Sequence, residues 1–304
     1  MKRNILSISD LSADEIYDII NRTKQVKKNR LRYARSLYGK CIGMVFEKPS
    51  NRTRVSFEVG MVQLGGHAVY LGPSELGMGK RESAKDVARV LSRYLDAIIT
   101  RTFDHAEAEE LARYATVPVV NGLSDKAHPC QALCDIFTVA EKFGAFRGVQ
   151  LAYVGDGNNV LNSLMCASAK VGLNITVATP KGFEPKPYVV KQSKEFAKRS
   201  GSKVLITNDL KKAIAGADVV YTDVWVSMGQ ESQTTRRLKA FRPYQVNEKQ
   251  LCIAKKNCFV MHCLPAHRGQ EITDGVIDSA RSIVYDQAEN RMHTEKAILL
   301  RLLK

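Results

Sequence analysis

The sequence predicts an α/β protein built from two doubly wound parallel-sheet domains. Three observations lead there. The chain has 304 residues, more than one hydrophobic core of roughly 150 residues organises comfortably. Apolar runs of strand length alternate with stretches of helical periodicity, and those runs are apolar almost throughout, as expected of parallel strands buried on both faces. The alternation then restarts after Gly148.

The first element is a helix, because Ser12 to Glu15 reads SADE, a capping box, and EIYDIINRTKQVKK repeats apolar residues at helical spacing behind it. Strand and helix then alternate: KCIGMVF with RVSFEVGMVQLG, HAVYL with SAKDVARVLSRY, DAIITRT with HAEAEELARYA, VPVVNG with PCQALCDIFTVAEKFG. The second series runs VQLAYVGDG, NNVLNSLMCASAKVG, NITVATP, a Lys-rich helix to Ser200, KVLITN, DLKKAIAGA, DVVYTDVW and, past a polar loop, CFVMHCLP. A boundary is expected between Lys142 and Gly148. The final stretch AENRMHTEKAILLRLL is helical and long enough to pack back across the first domain.

Composition narrows the function classes. Hydrophobic residues make up 44% and charged residues 25%, ordinary for a globular chain and unlike a disordered or fibrous one. The first thirty residues lack the apolar core of a signal peptide, and nowhere do about 18 apolar residues run uninterrupted. A cytoplasmic protein without a membrane partner is expected. Seven cysteines, at 41, 130, 134, 166, 252, 258 and 263, are an odd number without framework spacing, which reads as reduced thiols. The formal charge of +15 invites a nucleic-acid reading. Yet the basic residues are spread over many predicted helix faces, with no long basic block and no aromatic RNA-binding signature. A solvated basic surface that attracts small anionic substrates is expected, with no nucleic acid partner.

Ligands of parallel α/β sheets bind beyond the carboxyl ends of the strands, and four motifs sit there. In SNRTR, Ser50 and Thr53 offer hydroxyls at a helix start, and Arg52 or Arg54 can fork onto phosphate oxygens; a capped helix with exposed arginines is the plainer alternative. In HPCQ, His128 and Gln131 can both donate to a carbonyl oxygen, or the histidine is structural beside a proline-started helix. DVWVSMGQ, residues 223–230, reads as a mobile closure loop or as a surface loop with one buried Trp. In HCLP, Cys263 is an inert buried thiol or a reacting partner.

Near misses are set aside. Gly79-Lys80 resembles the end of a nucleotide-binding loop, but Arg81 follows where Ser or Thr is required. GDGNNV has Val160 in place of the third glycine of a dinucleotide fingerprint; Asn158 and Asn159 there suit a small polar ligand, or are plain caps. His128, Cys130, Cys134, His262 and Cys263 match no standard zinc spacing, so no metal is expected.

With FEKPSNRTR, ARVLSRYLDAIITR, NGLSDKAHPCQ, VGDGNNVLNS, DVWVSMGQE, HCLPAHRG and AENRMH in one order, the chain resembles the aspartate/ornithine carbamoyltransferase family over nearly its whole length. The SMG loop and HCLP place the likeness on the ornithine side. The resemblance implies a carbamoyl-phosphate-binding domain over 1–145, an ornithine-binding domain over 146–285 and a helix over 286–304 returning to the first. It implies transfer of the carbamoyl group of carbamoyl phosphate to the δ-amine of L-ornithine, giving L-citrulline and phosphate, without cofactor. A homotrimer or assembly of trimers is implied, with a place in arginine metabolism.

The same resemblance distributes roles. Ser50, Asn51, Arg52, Thr53 and Arg54 would hold the phosphate, and Arg101, His128 and Gln131 the carbamoyl end. Asn159, Asp223, Ser227 and Met228 would hold ornithine. Cys263 and Leu264 would lie where the substrates meet, and Arg291 would return to carbamoyl phosphate; Arg101, His128 and Cys263 would carry catalysis. An amine with a free pKa of roughly 10 must lose a proton to attack, and a carboxylate beside it would hold the proton on. Asp223 therefore suits the α-ammonium, leaving Cys263 beside the δ-amine. Two positions depart from the family pattern: Asn51 stands where Thr is usual, and Gly77 where a Gln or His reaches a neighbouring subunit, with Lys80 and Arg81 close by.

Overall fold

The computed structural model describes residues 3–78 and 82–304. Gly79, Lys80 and Arg81, named above, lie outside the described residues. The chain divides into two compact units, Met1–Phe137 with Asn290–Lys304, and Thr138–Glu289. These limits fall inside the helices Pro129–Phe143 and Val284–Leu303.

The first unit holds β1 (Cys41–Phe46), β2 (His67–Leu71), β3 (Ala97–Arg101) and β4 (Val119–Leu123), all parallel, in the order β2-β1-β3-β4. The second holds β5 (Gln150–Val154), β6 (Asn174–Ala178), β7 (Val204–Thr207), β8 (Val219–Thr222) and β9 (Phe259–His262), also parallel, in the order β7-β6-β5-β8-β9. The predicted two-sheet α/β class holds. Central strands such as β3 and β8 are buried at every residue, the outcome of helices on both faces. At one edge of each sheet β2 and β7 are partly exposed, whereas β4 and β9 at the opposite edges are almost wholly buried.

Helix starts follow the expected chemistry. The Ser12 hydroxyl accepts from Glu15 N and the Glu15 carboxylate accepts from Ser12 N (3.2 and 2.8 Å), closing the capping box on Ala13–Lys28. Reversals of strand order lie between β1 and β3 in one sheet and between β5 and β8 in the other. At such points the loops leaving adjacent strands diverge and open a crevice for a ligand. Gly157 explains the GDG turn after β5. A Cβ there would lie 2.5 Å from the Glu184–Pro185 backbone, so a side chain at this position has no room.

The C-terminal helix is bound into the first unit by polar contacts. Lys27 Nζ donates to Asn290 Oδ1 (2.8 Å), Lys296 Nζ to Gln63 Oε1 (2.7 Å) and Arg301 Nη2 to Glu15 Oε1 (2.7 Å).

Candidate active site

At the switch point of the first sheet, β1 runs through Glu47–Ser50 into the helix Asn51–Gln63. Ser50 caps this helix by accepting from Thr53 N (3.3 Å), and Asn51, Arg52 and Thr53 form its first turn, where backbone N–H groups have no helical acceptor. Glu47 N donates to the carbonyl of Arg101, the last residue of β3 (2.8 Å), which ties the loop to the neighbouring strand end. Thr53 Oγ1 accepts from Ser50 Oγ (3.0 Å) and from Arg291 Nη2 (3.1 Å). With both lone pairs used, its own proton is available to a ligand oxygen.

Arg291 reaches this point from the C-terminal helix. It donates through Nη1 to Gln131 Oε1 (3.0 Å) and through Nη2 to Glu295 Oε1 (3.0 Å), while Gln131 Nε2 donates to Asp135 Oδ1 (2.7 Å). His128 lies immediately before the helix that Pro129 opens. Burial, then the charges of Arg291, Arg101 and Arg52, hold its imidazole pKa well below the ordinary 6.5. A neutral imidazole beside three guanidiniums is a hydrogen-bond donor in a field that attracts anions. Arg54 is directed elsewhere: its Nε meets Glu58 Oε1 (3.0 Å) and its guanidinium lies 4.0 Å over the Tyr70 ring. So Ser50, Thr53, Gln131 and Arg291 are joined by direct bonds, Arg52, Arg101 and His128 by charge, and Arg54 stands along its own helix.

At the switch point of the second sheet, Asp223 follows β8 and is buried. Its Oδ2 accepts from Asn158 Nδ2 (2.7 Å) and its Oδ1 from Cys263 Sγ (3.0 Å) and Val224 N (2.8 Å). These donors are neutral, and among the described residues Asp223 forms no ion pair, so its negative charge can serve a cationic ligand. Asn158 also caps the helix Asn159–Val171, and Asn159 is that helix's first residue. Leu264, after β9, has a left-handed φ of 58°, rare for a branched side chain and typical of a backbone held in place for a purpose. Ser227 bonds within its turn, its N donating to Gln230 Oε1 (3.2 Å), and Met228 is exposed.

Asp223, His262 and Cys263 present ligand atoms within 4.8 Å of one another. They make a poor metal site, because His262 Nδ1 accepts from Leu264 N (2.8 Å) and its Nε2 meets Glu271 Oε1 (3.1 Å). Both ring nitrogens are committed. Of the remaining cysteine and histidine candidates, His128, Cys130 and Cys134 belong to the other unit.

Two family models match: the carbamoyl-phosphate-binding domain of aspartate/ornithine carbamoyltransferase over residues 3–141 and its Asp/Orn-binding domain over residues 147–302. The chain belongs to the aspartate/ornithine carbamoyltransferase family. Among curated relatives it is 53% identical to the ornithine carbamoyltransferase of Anoxybacillus flavithermus, covering 99% of this chain and 96% of that one. It is also 53% identical to the catabolic ornithine carbamoyltransferase of Thermoplasma volcanium, over 99% of each. The solved ornithine carbamoyltransferase of Pyrococcus furiosus superposes with a TM-score of 0.96 at 52% identity, covering 99% of this chain and 97% of that one.

Sequence reasoning left Asn158 between a ligand contact and a plain cap, and passed over Asp156, Arg237 and Glu295. Asn158 Nδ2 bonds to Asp223 Oδ2. Asp156 and Arg237 form a buried pair, Nη1 to Oδ2 at 2.8 Å, and Arg237 Nη1 also donates to the carbonyl of Trp225 (3.1 Å). Glu295 pairs with Arg291. That last pair was visible in the sequence as R-x-x-x-E on a helix, the spacing at which side chains meet.

Proposed function

We propose that the chain transfers the carbamoyl group of carbamoyl phosphate to the δ-amine of L-ornithine, releasing L-citrulline and phosphate. The observation that carries this reading is the gathering of Arg52, Arg101 and Arg291 around a neutral His128, at the start of a helix whose Ser50 and Thr53 face the same place. Guanidiniums and helix N–H groups suit a phosphate dianion that must leave. Thr53, Arg101 and His128 suit the carbamoyl oxygen, on which negative charge grows during attack. In the second unit Asp223, with Asn158 behind it, suits the α-ammonium of ornithine, flanked by Asn159, Ser227 and Met228. Cys263 and Leu264 sit beside the δ-amine. No step calls for a cofactor.

A homotrimer belongs to the same reading. It would cover Val55, Val59 and Val62, an apolar stripe 48, 38 and 68% exposed on the Asn51–Gln63 helix; the mass in solution checks it. A cytoplasmic setting fits seven cysteines of which none forms a disulfide. Among the described residues no helix is long and apolar enough to cross a membrane. The relatives carry both catabolic and anabolic names at 53 and 52% identity, so a cooperative or a simple response to carbamoyl phosphate is the observation that would separate the two roles.

The direct test is citrulline formation from carbamoyl phosphate and ornithine. Absence of citrulline, with product from putrescine or an N-acylated ornithine instead, would replace the reading by that of a sister transferase. A second measurement addresses the ornithine half. Asp223→Asn keeps the size and removes the charge, and a hydrogen bond to a charged group contributes roughly 1.5–3 kcal/mol. The KM for ornithine should rise about 10- to 150-fold, with the KM for carbamoyl phosphate nearly constant.

A further inference from the structure

Glu295 has no place in the chemistry above, yet it sits directly behind it. It is fully buried, one helical turn beyond Arg291, and its Oε1 receives Arg291 Nη2 at 3.0 Å. Its Oε2 is buried without a hydrogen-bond partner among the described residues. Ser56 faces it from the helix Asn51–Gln63 and draws its pKa down, although the Ser56 hydroxyl also bonds to the Arg52 and Thr53 carbonyls (2.6 and 3.2 Å). Burial favours the protonated form of this carboxyl, whereas the adjacent guanidinium favours the ionised one. Two opposed influences of this kind leave a carboxyl group able to exchange its proton in place.

We propose that Glu295 is a positioning residue of the carbamoyl-phosphate subsite: it orients the Arg291 guanidinium, and the presence or absence of its proton grades how tightly the subsite holds a phosphate dianion. This rests on the reading of that subsite given above. The orientation follows from the bonds. Arg291 is gripped by Glu295 on one side and by Gln131 and Thr53 on the other, so the plane of its fork is set before any ligand arrives. The grading follows from charge. Ionised, Glu295 offsets part of the positive charge of Arg291; protonated, it leaves that charge to the ligand.

Burial pushes the Glu295 carboxyl up to about 7, with Arg291 and Ser56 drawing it down. The other titratable groups facing the pair are Cys130, Cys134 and Asp135 on the helix Pro129–Phe143, His128 before it, and Lys296 on the same helix as Glu295. Cys130 is pushed far up by burial and by the charge of Glu295, and His128 far down, so both remain neutral through the range in which Glu295 changes. Lys296 is engaged with Gln63. A dianion bound at Arg291 would hold the proton on Glu295 more firmly, and by linkage the proton strengthens the dianion's binding. Affinity should therefore fall as pH rises through neutrality. For an enzyme that must release phosphate after each turnover, a weaker grip at the alkaline side shortens the life of the product complex.

Sulfate is the suitable probe, since it stays a dianion throughout and any slope belongs to the protein. Titration calorimetry of the intact protein at about pH 6 and about pH 8.5 should show sulfate affinity falling about tenfold in the wild type, equivalent to one unit of coupling. Glu295→Gln keeps an oxygen to accept from Arg291 and loses the charge; it should be flat with pH and bind at the higher pH as tightly as the wild type does at the lower. Glu295→Leu loses the anchor too, and should bind weakly at both. Parallel slopes in the wild type and Glu295→Gln overturn the inference. So does a wild type that makes citrulline while its sulfate affinity is level across the range, a result that needs no variant to fold. A wild type that binds neither sulfate nor carbamoyl phosphate overturns the subsite reading beneath it.

Discussion

Arg291→Leu is expected to lower kcat/KM for carbamoyl phosphate by about 100- to 1,000-fold, the usual cost of deleting one donor aimed at developing charge. Most of the loss should appear at subsaturating carbamoyl phosphate, because the guanidinium addresses the ground-state dianion as well as the transition state. Thr53 and Gln131 also lose the partner that holds them. The stability cost has its own signature. Removing one member of a buried pair costs about 3–5 kcal/mol when the other stays charged, but Glu295 has an alternative. Without Arg291, the attraction that draws its carboxyl down from burial disappears, and its pKa climbs above the present value of about 7, further from the ordinary 4.5. Between those limits the folded variant binds a proton that the unfolded chain does not, so stability falls as pH rises. The drop in melting temperature relative to the wild type should therefore be small at about pH 6 and large at about pH 8.5. Equal drops at both would mean that Glu295 is not the group left behind.

The fold was legible because parallel α/β architecture leaves a coarse, redundant imprint. Apolar runs such as CIGMVF and DAIITR had to be central strands, and the positions of SNRTR, HPCQ and HCLP at strand ends followed from them. What stayed hidden depends on side-chain direction. Asn158 looks like any helix cap in the sequence; only the fold brings Asp223, far along the chain, against its amide. HAVYL looks like any buried strand, yet it is partly exposed at one sheet edge while β4, at the other, is buried, a difference that composition does not carry. Arg54 stands two residues from Arg52 in a run that reads as one phosphate motif, yet a helix turns about 100° per residue, which delivers Arg54 to Glu58 and Tyr70. Arg237 looks like one more cation in the basic stretch TTRRLKAF, and its burial becomes apparent only when Asp156, far away in sequence, is brought against it.

That pair supports the second strong expectation. Arg237→Leu should destabilise the second unit by about 3–5 kcal/mol, as for other buried ion pairs broken from one side, and lower its melting temperature by roughly 10 °C. Arg237 is only 7% exposed; its guanidinium bonds to Asp156 and to the Trp225 carbonyl and lies 5.1 Å over the Phe183 ring. Burial already raises the Asp156 carboxyl above its ordinary value, with Arg237 acting against that rise. Deleting Arg237 removes the opposing influence, so the raised carboxyl goes higher, the folded state gains affinity for a proton, and the loss of stability deepens as pH rises above the ordinary carboxylate range. Asp156→Asn combined with Arg237→Leu removes the stranded charge, so the double variant should melt above Arg237→Leu at neutral pH. If it melts lower, lost packing against Phe183 and Trp225 is the main cost. Binding measurements separate the two units. Trp225 lies two residues beyond Asp223, and Asp156 two before Asn158, so the Arg237 bridge fixes both loops that meet in the Asn158–Asp223 hydrogen bond. Loosening them should raise the KM for ornithine in Arg237→Leu, while sulfate or carbamoyl phosphate binding to the first unit stays at the wild-type level.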